Sequence, residues 1–439
     1  METKRKTLTQ LFFPICVEIL FYMMAGMVDT MMLASVSDQA VGAVGTANTY
    51  IGMFIIMFSI VSSGMLAVMT QNIGAGRPSV AHQARQIGLL FNGVLGIILS
   101  GALFFGAGMI LEGVGIAKAL KTPAMVYLRI VGGSCILNAV IPIYAGYIRA
   151  FGHTREPLVA TVVANVLNLI LNAVFLVGFK WGVAGVALAT VISRVVNLVM
   201  VMIQSKKLIH VSEDYVKVKN SEVLGQIIRI GFPAALETAL YNVAITLVVR
   251  FMNQMDAEGI NVTARSYTAQ IANFSYSVGA ALAQANAILT GWRIGAREFD
   301  ECDRGTKKAA LVGIVSAIVL QSLFVVFARP LVGLFTDDPR MIRLVTSLLA
   351  VDIVLEIGRA VNMVFGIALK ASGDAVYPVV IAAIFMFVCA VGGTWFFGLK
   401  LEWLAVGAYI GLALDECVRA VFMFGRWQSG KWREKRLVN

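Results

Sequence analysis

Charged residues are scarce in this sequence. Only 14% of its 439 residues are Asp, Glu, Lys or Arg, and 59% are hydrophobic, whereas a soluble domain carries about 25% charged residues. Four stretches contain no charge and are each close to the length of a membrane-spanning helix: 86–111, 157–179, 309–328 and 375–399. The composition therefore excludes a soluble globular protein and predicts an all-α, polytopic membrane protein.

Cysteine and histidine are also rare. The five cysteines lack the spacing of a disulfide framework or a zinc site, and we expect them to be small core residues: Cys16, Cys135, Cys302, Cys389 and Cys417. The three histidines fall in predicted loops: His82, His153 and His210. No nucleophile elbow or phosphate-binding loop precedes a predicted helix. The sequence therefore predicts neither an enzyme nor a protein with an organic cofactor.

Positive charge is concentrated in alternate loops. The net charge is +11, yet the loops of one set hold only about six of the 36 Lys and Arg residues. The remaining basic clusters lie mostly in the other loops and at the two termini. This is the positive-inside pattern. It predicts an even number of spans in the cytoplasmic (inner) membrane with both termini cytoplasmic, and it argues against nucleic-acid binding.

Turn residues divide the apolar sequence into twelve predicted transmembrane helices. Their predicted limits are 10–34, 43–72, 85–111, 123–148, 157–179, 183–205, 222–251, 260–291, 307–335, 340–369, 375–398 and 403–427. We therefore predict an amino-terminal six-helix lobe at 1–205, a cytoplasmic linker at 206–221, a carboxy-terminal six-helix lobe at 222–427 and a basic cytoplasmic tail at 428–439.

The second half of the chain repeats the first. Pro14-Ile-Cys-Val-Glu18 returns as Pro233-Ala-Ala-Leu-Glu237, 219 residues later. Five further segments match in the same order: 46–50 with 263–267, 73–75 with 294–296, 149–152 with 370–373, 157–159 with 378–380, and 178–180 with 398–400. Six helices per copy give both halves the same orientation, as in transporters with parallel repeats. The repeat predicts alternating access around a cleft between two similar bundles.

Four stretches resemble the multidrug and toxic compound extrusion (MATE) transporters. They are 27–30 at the end of the first helix, 71–76 after the second, 149–157, and 165–172 with the glycines and threonine of 182–190 that follow. The resemblance implies a monomeric exporter, embedded in membrane lipid, of small amphipathic and often cationic compounds. It also implies that inward movement of Na⁺ or H⁺ drives the export.

The same resemblance implies a cation or proton site in the first lobe. Asp29 matches its carboxylate, and the other matching positions are Asn168, Asn172 and Thr190. Some family members carry a second Asp where this chain has Asn172; the single titratable group modestly favours Na⁺ as the bound metal ion. Two structural alternatives stay open: Asp29 lies near the outer end of its helix and can contact water there, and Asn and Thr commonly link helices by hydrogen bonds.

Other intramembrane charges are candidates for proton or substrate handling. Glu18 and Glu237 each follow a proline by four residues. Proline weakens the helix and leaves a backbone carbonyl without its hydrogen bond, so these polar residues can instead have a structural role there. Asp352, Glu356 and Arg359 share one helix face, where they can form a structural ion-pair network. The last helix carries a similar group, Asp415, Glu416 and Arg419, for which the structural interpretation is favoured.

Two other functions remain open from the sequence. A lipid-linked precursor flippase of the same superfamily would have similar helices. A basic central cavity would favour this function, whereas the acidic residues Glu18, Asp29 and Glu237 argue against it. A channel or scaffold without coupled transport is the second alternative. Flux that cannot run against a gradient would identify a channel.

Overall fold

The protein is built from helices throughout the residues that its computed structural model describes, which are 6–34, 37–113, 116–211 and 218–438. The α-helices are α1 Leu8–Ala34, α2 Asp38–Gly74, α3 Pro78–Gly113, α4 Lys118–Tyr127, α5 Ile136–Ala150, α6 Arg155–Ala173, α7 Gly182–Leu208, α8 Asn220–Met252, α9 Ile260–Gly295, α10 Phe299–Val326, α11 Ala328–Val332, α12 Pro339–Ser372, α13 Val376–Phe385 and α14 Leu404–Gln428. No β-strand occurs within these ranges.

The twelve predicted helices correspond to twelve long helical segments in the described part of the chain, once the pieces of an interrupted helix are counted as one segment. Three segments are interrupted. α4 and α5 form one segment that bends by 41°, α10 continues into α11, and α13 continues into π-helical turns. π-Helical turns also extend α4 and the end of α6. Eight of these segments are long and apolar enough to cross a membrane by length and composition alone, or nine with the bent pair. The helices α9, α12 and α14 are less apolar and are not among them.

Several predicted limits were wrong by up to eight residues, the largest difference being at α10, which begins at Phe299 rather than at 307. α2 and α3 begin at Asp38 and Pro78 rather than at 43 and 85, so His82 lies in α3 and not in a loop. α7 continues to Leu208 and α8 begins at Asn220, so both helices enter the predicted linker. Residues 212–217 of that linker lie outside the described residues.

Local chemistry explains the limits of α12. The Asp338 side chain accepts a hydrogen bond from the backbone N of Arg340 at 2.8 Å, and Pro339 occupies the first turn, where its missing N–H has no helical partner to lose. The helix ends at Ser372 and is capped by Gly373, whose φ of 104° suits glycine and closes the final turn. The same turn places Lys370 in the last turn of α12.

The chain divides into two compact units, Met1–Phe232 and Pro233–Asn439. The predicted lobe limits, which differ from this division, remain predictions. The first unit has an apolar core around Phe58, Leu103 and Leu128. The second has its own core, which includes Leu348 and Tyr409.

The end of the described chain packs onto the second unit. Trp432 follows α14 and is 1% exposed. Its ring stacks on Trp427 with centroids 4.2 Å apart, and its Nε1 donates to the Trp427 carbonyl at 2.9 Å. Part of the segment predicted as a basic tail is therefore anchored by an aromatic pair. All five cysteines are free; four are buried, as expected of small core residues, and Cys417 is only partly buried.

Candidate functional site

The structure brings Asp29 and the two predicted asparagines together between α1 and α6. Asn172 Nδ2 donates to Asp29 Oδ1 at 2.8 Å. Asn168 and Asn172 are four residues apart and therefore lie on one face of α6. Asn168 is 8% exposed and Asn172 is fully buried. A carboxylate in such surroundings is stable only when protonated, hydrogen-bonded or paired with a cation.

The Asn168 amide lies against Asp29 and fits an ionised carboxylate when its nitrogen faces that side chain. One terminal atom of this amide lies 2.8 Å from Asp29 Oδ1 and 3.2 Å from Asn172 Nδ2. If that atom is the nitrogen, it donates to an ionised Asp29, and the amide oxygen accepts from the backbone N of Thr190 at 3.3 Å. If it is the oxygen, it accepts from Asn172, and only a protonated Asp29 can donate to it.

Thr190 adjoins this site through its backbone. Its hydroxyl donates to the Val186 carbonyl at 2.9 Å, within α7. The Thr190 side chain also interacts with Tyr127, which is 4% exposed. The three predicted side-chain oxygens do not all face Asp29 in this structure, because the nearest Asn172 atom is a nitrogen. A bound Na⁺ would require that amide to rotate.

Arg194 is a charged neighbour of this site that the sequence interpretation left out. It lies four residues after Thr190 on α7, and its guanidinium is close enough to Asp29 and Tyr127 to interact with both electrostatically. Its Nη1 is buried and has no hydrogen-bond partner among the described residues. The i, i+4 spacing from Thr190 was the available signal. Asp29 therefore has the positively charged guanidinium group of Arg194 nearby even without a bound ion.

Glu18 forms a buried ion pair nearer the start of α1. Arg149, at the end of α5, donates to Glu18 Oε1 at 2.6 Å. Thr161 of α6 donates to the same oxygen at 3.1 Å. Glu18 is 9% exposed and its Oε2 has no partner among the described residues. The partner of Glu18 was not predicted.

The second unit repeats this ion pair. Lys370 Nζ, at the end of α12, lies 2.6 Å from Glu237 Oε2 on α8. Glu237 is the repeat counterpart of Glu18, and Lys370 is the counterpart of Arg149. Both carboxylates therefore have the same structural explanation, a basic residue at the end of the fourth helical segment of their half. The spacing of residues along one helix could not predict these ion pairs, because each pair joins residues that are distant in the sequence.

The predicted network in α12 exists and extends to α14. Arg359 pairs with Glu356 one turn away and with Glu416 of α14 at 3.2 Å. Asn362 Nδ2 donates to Glu416 Oε2 at 2.8 Å. Arg359 thus neutralises carboxylates on two helices.

Three further contacts complete this network. Asp352, on the same face of α12, accepts from Gln321 of α10 at 2.8 Å. Arg419 pairs with Asp415 at 2.7 Å and Glu416 at 3.0 Å, within α14. These contacts match the structural interpretation of both charged groups; a role in proton or substrate handling stays a prediction.

A cavity of about 510 Å³ lies in the second unit beside this network. Its lining combines charged, aromatic and flexible apolar side chains, among them Glu237, Tyr241, Tyr276, Arg359, Met363 and Lys370. The Arg359 guanidinium lies 5.7 Å from the centre of the Tyr276 ring. The volume is within the range of about 300–1,000 Å³ that accommodates small organic ligands. Each basic residue of the lining has an acidic partner.

Comparisons with known proteins agree with this architecture. The MatE family model matches residues 14–174 and again 233–396. The uncharacterized transporter YisQ of Bacillus subtilis is 32% identical, covering 98% of this chain and 96% of its own. A probable multidrug resistance protein NorM of Thermotoga maritima is 24% identical, with 99% and 94% covered.

Solved structures share the fold. An outward-facing MATE family transporter of the MOP superfamily superposes with a TM-score of 0.89 at 18% identity, with 97% of this chain and 96% of the other covered. A MOP superfamily transporter from Pyrococcus furiosus, described as having a binding pocket of reverse polarity, gives a TM-score of 0.86 at 17% identity with the same coverage. Similar folds therefore occur with binding pockets of different polarity.

Proposed function

Because this chain belongs to the MatE family of membrane transporters, we propose that it is a secondary active exporter of amphipathic cations. In this proposal it works as a monomer in the cytoplasmic membrane, with both termini in the cytoplasm. Inward movement of a coupling ion drives the export. The observation that carries the proposal is the half-buried Asp29 carboxylate, which accepts a hydrogen bond from Asn172 at 2.8 Å and is adjacent to Asn168.

The arrangement around Asp29 supports a proton as the coupling ion. Asn172 presents its nitrogen to the carboxylate, whereas Na⁺ binding needs oxygen ligands. Arg194 adds a positive charge nearby that disfavours a proton and Na⁺ alike, so the amide nitrogen of Asn172 is the feature that distinguishes the two ions. A proton needs neither an amide rotation at Asn172 nor a set of oxygen ligands. Na⁺, which the sequence modestly favoured, is the alternative that the experiment below separates.

The cavity of the second unit supports an amphipathic cation as substrate. Tyr241 and Tyr276 give the lining aromatic rings, a group that attracts cations, and Met363 can adapt to varied apolar shapes. Glu237 supplies a carboxylate that a cationic ligand can share with Lys370. The flippase alternative would be supported by an unpaired basic cavity, and in this lining Arg359 and Lys370 are both paired with carboxylates.

The decisive experiment measures efflux of the cationic dye ethidium from proteoliposomes under an imposed gradient of H⁺ alone or Na⁺ alone. We expect the H⁺ gradient to move dye against its own gradient, and the Asp29→Asn variant to lose this activity. The reason is that an amide cannot release and rebind a proton in the pH range of the experiment. A folded variant is verified by its thermal unfolding profile.

Other outcomes are equally informative. Efflux driven by Na⁺ alone would overturn the proton assignment while keeping the exporter. Normal uphill efflux by Asp29→Asn would overturn the site. Dye movement that never exceeds its own gradient in the wild-type protein would indicate a channel and contradict the proposed function.

A further inference from the structure

A polar stripe runs along one face of α6. Its members are spaced by four, three and four residues, which places them on one helix face: Thr161, Asn165, Asn168 and Asn172. The remaining residues between Pro157 and Phe179 are apolar or glycine. Such a stripe in a membrane-spanning helix normally faces the protein interior or water.

The two acidic residues of α1 mark the ends of this stripe. Thr161 contacts Glu18 and Asn172 contacts Asp29. Glu18 and Asp29 are eleven residues apart, three helical turns, so they lie on the same face of α1 and about 16 Å apart along its axis. Asn165 and Asn168 lie on α6 between them. One line of polar groups therefore connects the predicted coupling site to the Glu18–Arg149 ion pair.

α7 adds a second polar row along the same path. α7 packs against α6, and Arg194 lies one turn after Thr190, the neighbour of Asn168. Asn197 and Gln204 follow at helical spacing on that face. Gln204 Nε2 donates to the Glu156 carbonyl at 3.0 Å, at the beginning of α6. This row extends the polar path towards the ends of the helices at which α1 begins and α7 ends.

Buried atoms along this path have no hydrogen-bond partner among the described residues. They are Glu18 Oε2, Arg149 Nε, Glu156 Oε2, Asn165 Nδ2, Asn172 Oδ1, Arg194 Nη1, Asn197 Oδ1 and Gln204 Oε1. An unpaired buried polar group costs about 1–3 kcal/mol, so eight of them in one seam would be a large penalty. Buried groups of this kind are commonly satisfied by internal water. The pattern is that of a hydrated seam.

We propose that this seam, between α1, α6 and α7, is a water-filled proton path that connects Asp29 to the cytoplasm through Glu18. Asp29 takes up a proton from the outer side and gives it to an adjacent water, and Glu18 accepts one from the water chain. Glu18 then releases that proton to cytoplasmic water and returns to its ion pair with Arg149. One proton passes for each cycle, and both carboxylates are restored. The inference rests on the proposed function, since it needs Asp29 to bind protons.

The second half of the chain shows what the same frame looks like without the seam. Pro157 and Pro378 are repeat counterparts, 221 residues apart. At this offset the counterparts of the stripe are Ala382, Met386, Cys389 and Gly393. The Glu237–Lys370 pair is present, but no polar residue stands at these four positions behind it. The stripe is therefore not a requirement of the fold or of the ion pair.

The first test measures hydration and does not depend on transport. A small water-soluble methanethiosulfonate reagent is applied to the Asn165→Cys variant in membranes, and native Cys389 serves as the internal control from the equivalent helix. We expect the introduced thiol to react at least tenfold faster than Cys389, because the reagent attacks the thiolate, which needs water. Reaction as slow as that of Cys389 would mean a dry seam and would overturn the proposal.

The second test measures proton movement. Proteoliposomes with an internal pH dye receive an ethidium gradient, and proton flux is compared for wild type, Asn165→Leu and Asn165→Ser. We expect Asn165→Leu to slow the flux about tenfold, which corresponds to about 1.4 kcal/mol of barrier, while ethidium binding is retained. Asn165→Ser leaves room for water and is expected to keep most of the flux. Glu18→Gln is expected to slow it as Asn165→Leu does.

The controls separate this inference from the proposed function. Ser316→Ala, on α10 of the second unit and on none of the three helices of the seam, removes a hydroxyl that donates within its own helix at 2.9 Å and should leave the flux unchanged. Equal fluxes in wild type, Asn165→Leu and Glu18→Gln would overturn the proton path and leave the exporter intact. A wild-type protein that moves ethidium without moving protons would instead overturn proton coupling itself.

Discussion

Among single residues, Asp256 shows how a carboxylate fixes the start of a helix. It lies in the loop between α8 and α9 and accepts from the backbone N of Ile260 at 2.8 Å and of Asn261 at 3.0 Å. Burial acts to raise the pKa of Asp256, but the hydrogen bonds from Asn261 and Ile260 outweigh it and lower this pKa below its ordinary value. The ionised form therefore stabilises the first turn of α9.

Replacing Asp256 with Ala should weaken the protein by about 1 kcal/mol near neutral pH, the usual effect of losing such a helix cap. Because the folded pKa is depressed, the stabilisation is complete above the unfolded-state pKa of about 3.9. It is lost as pH falls through the lower folded value. Thermal unfolding of wild type and Asp256→Ala at pH 6 and pH 3 measures this. A difference of equal size at both pH values would contradict it.

Arg419 has the opposite role, since it neutralises two buried carboxylates. We expect Arg419→Met to destabilise the protein by about 3–5 kcal/mol, because Asp415 and Glu416 would lose a shared cationic partner in a buried site. Thermal unfolding in detergent measures the loss. The matched control combines this change with Asp415→Asn, which removes one of the stranded charges and should recover part of the stability. No recovery would mean that packing, and not charge, explains the loss.

At the scale of helices, α14 depends on glycine for its close approach to the helical segment that follows α13. A Cβ on Gly411 would lie 2.8 Å from the backbone N of Thr394 and 2.9 Å from the carbonyl carbon of Gly393. Backbone atoms cannot move aside as a flexible side chain can. The contact between these two segments therefore needs a hydrogen atom at this position.

Gly411→Ala should destabilise the protein by about 1–3 kcal/mol, the usual effect of forcing an extra group into a packed contact. Gly425→Ala is the matched control on the same helix, because a Cβ there meets no atom within 4 Å. It should be neutral or stabilise α14 by up to about 1 kcal/mol through helix propensity. Thermal unfolding of both variants decides the matter, and equal shifts of the two midpoints would refute the argument.

Element prediction from the sequence succeeded where one strong pattern dominated. Long apolar runs identified the helices, but their ends were missed where polar residues continue the helix, as at Asp38 and His82. The break at residues 128–135 and the π-helical turns after α6 and α13 were not predicted either. These breaks depend on packing against neighbouring helices, which a local hydrophobic pattern does not encode.

For the whole molecule, the site was predictable only as far as its residues share a helix or a repeat. The i, i+4 spacing placed Asn168 and Asn172 on one face of α6, and Asp29 now lies against them. The Glu18–Arg149 pair joins residues 131 positions apart, so no local pattern could reveal it. Arg194 was recognised as an intramembrane charge but not linked to the site, because only its tertiary neighbours Asp29 and Tyr127 connect it with the site.

Each half of the protein has one of the two ion pairs, but only the first half has the row of amides next to its pair. This difference indicates how the two halves diverged. A gene that duplicates begins with two equal copies, and each position is then free to drift in one copy while the other retains its task. The fifth helical segment of the first half has kept its amides, or gained them, and that of the second half has Ala, Met, Cys and Gly in their place. We therefore expect random mutagenesis followed by selection for transport to reject apolar substitutions at the amide positions of the first segment. The same selection should accept apolar substitutions at the equivalent positions of the second segment.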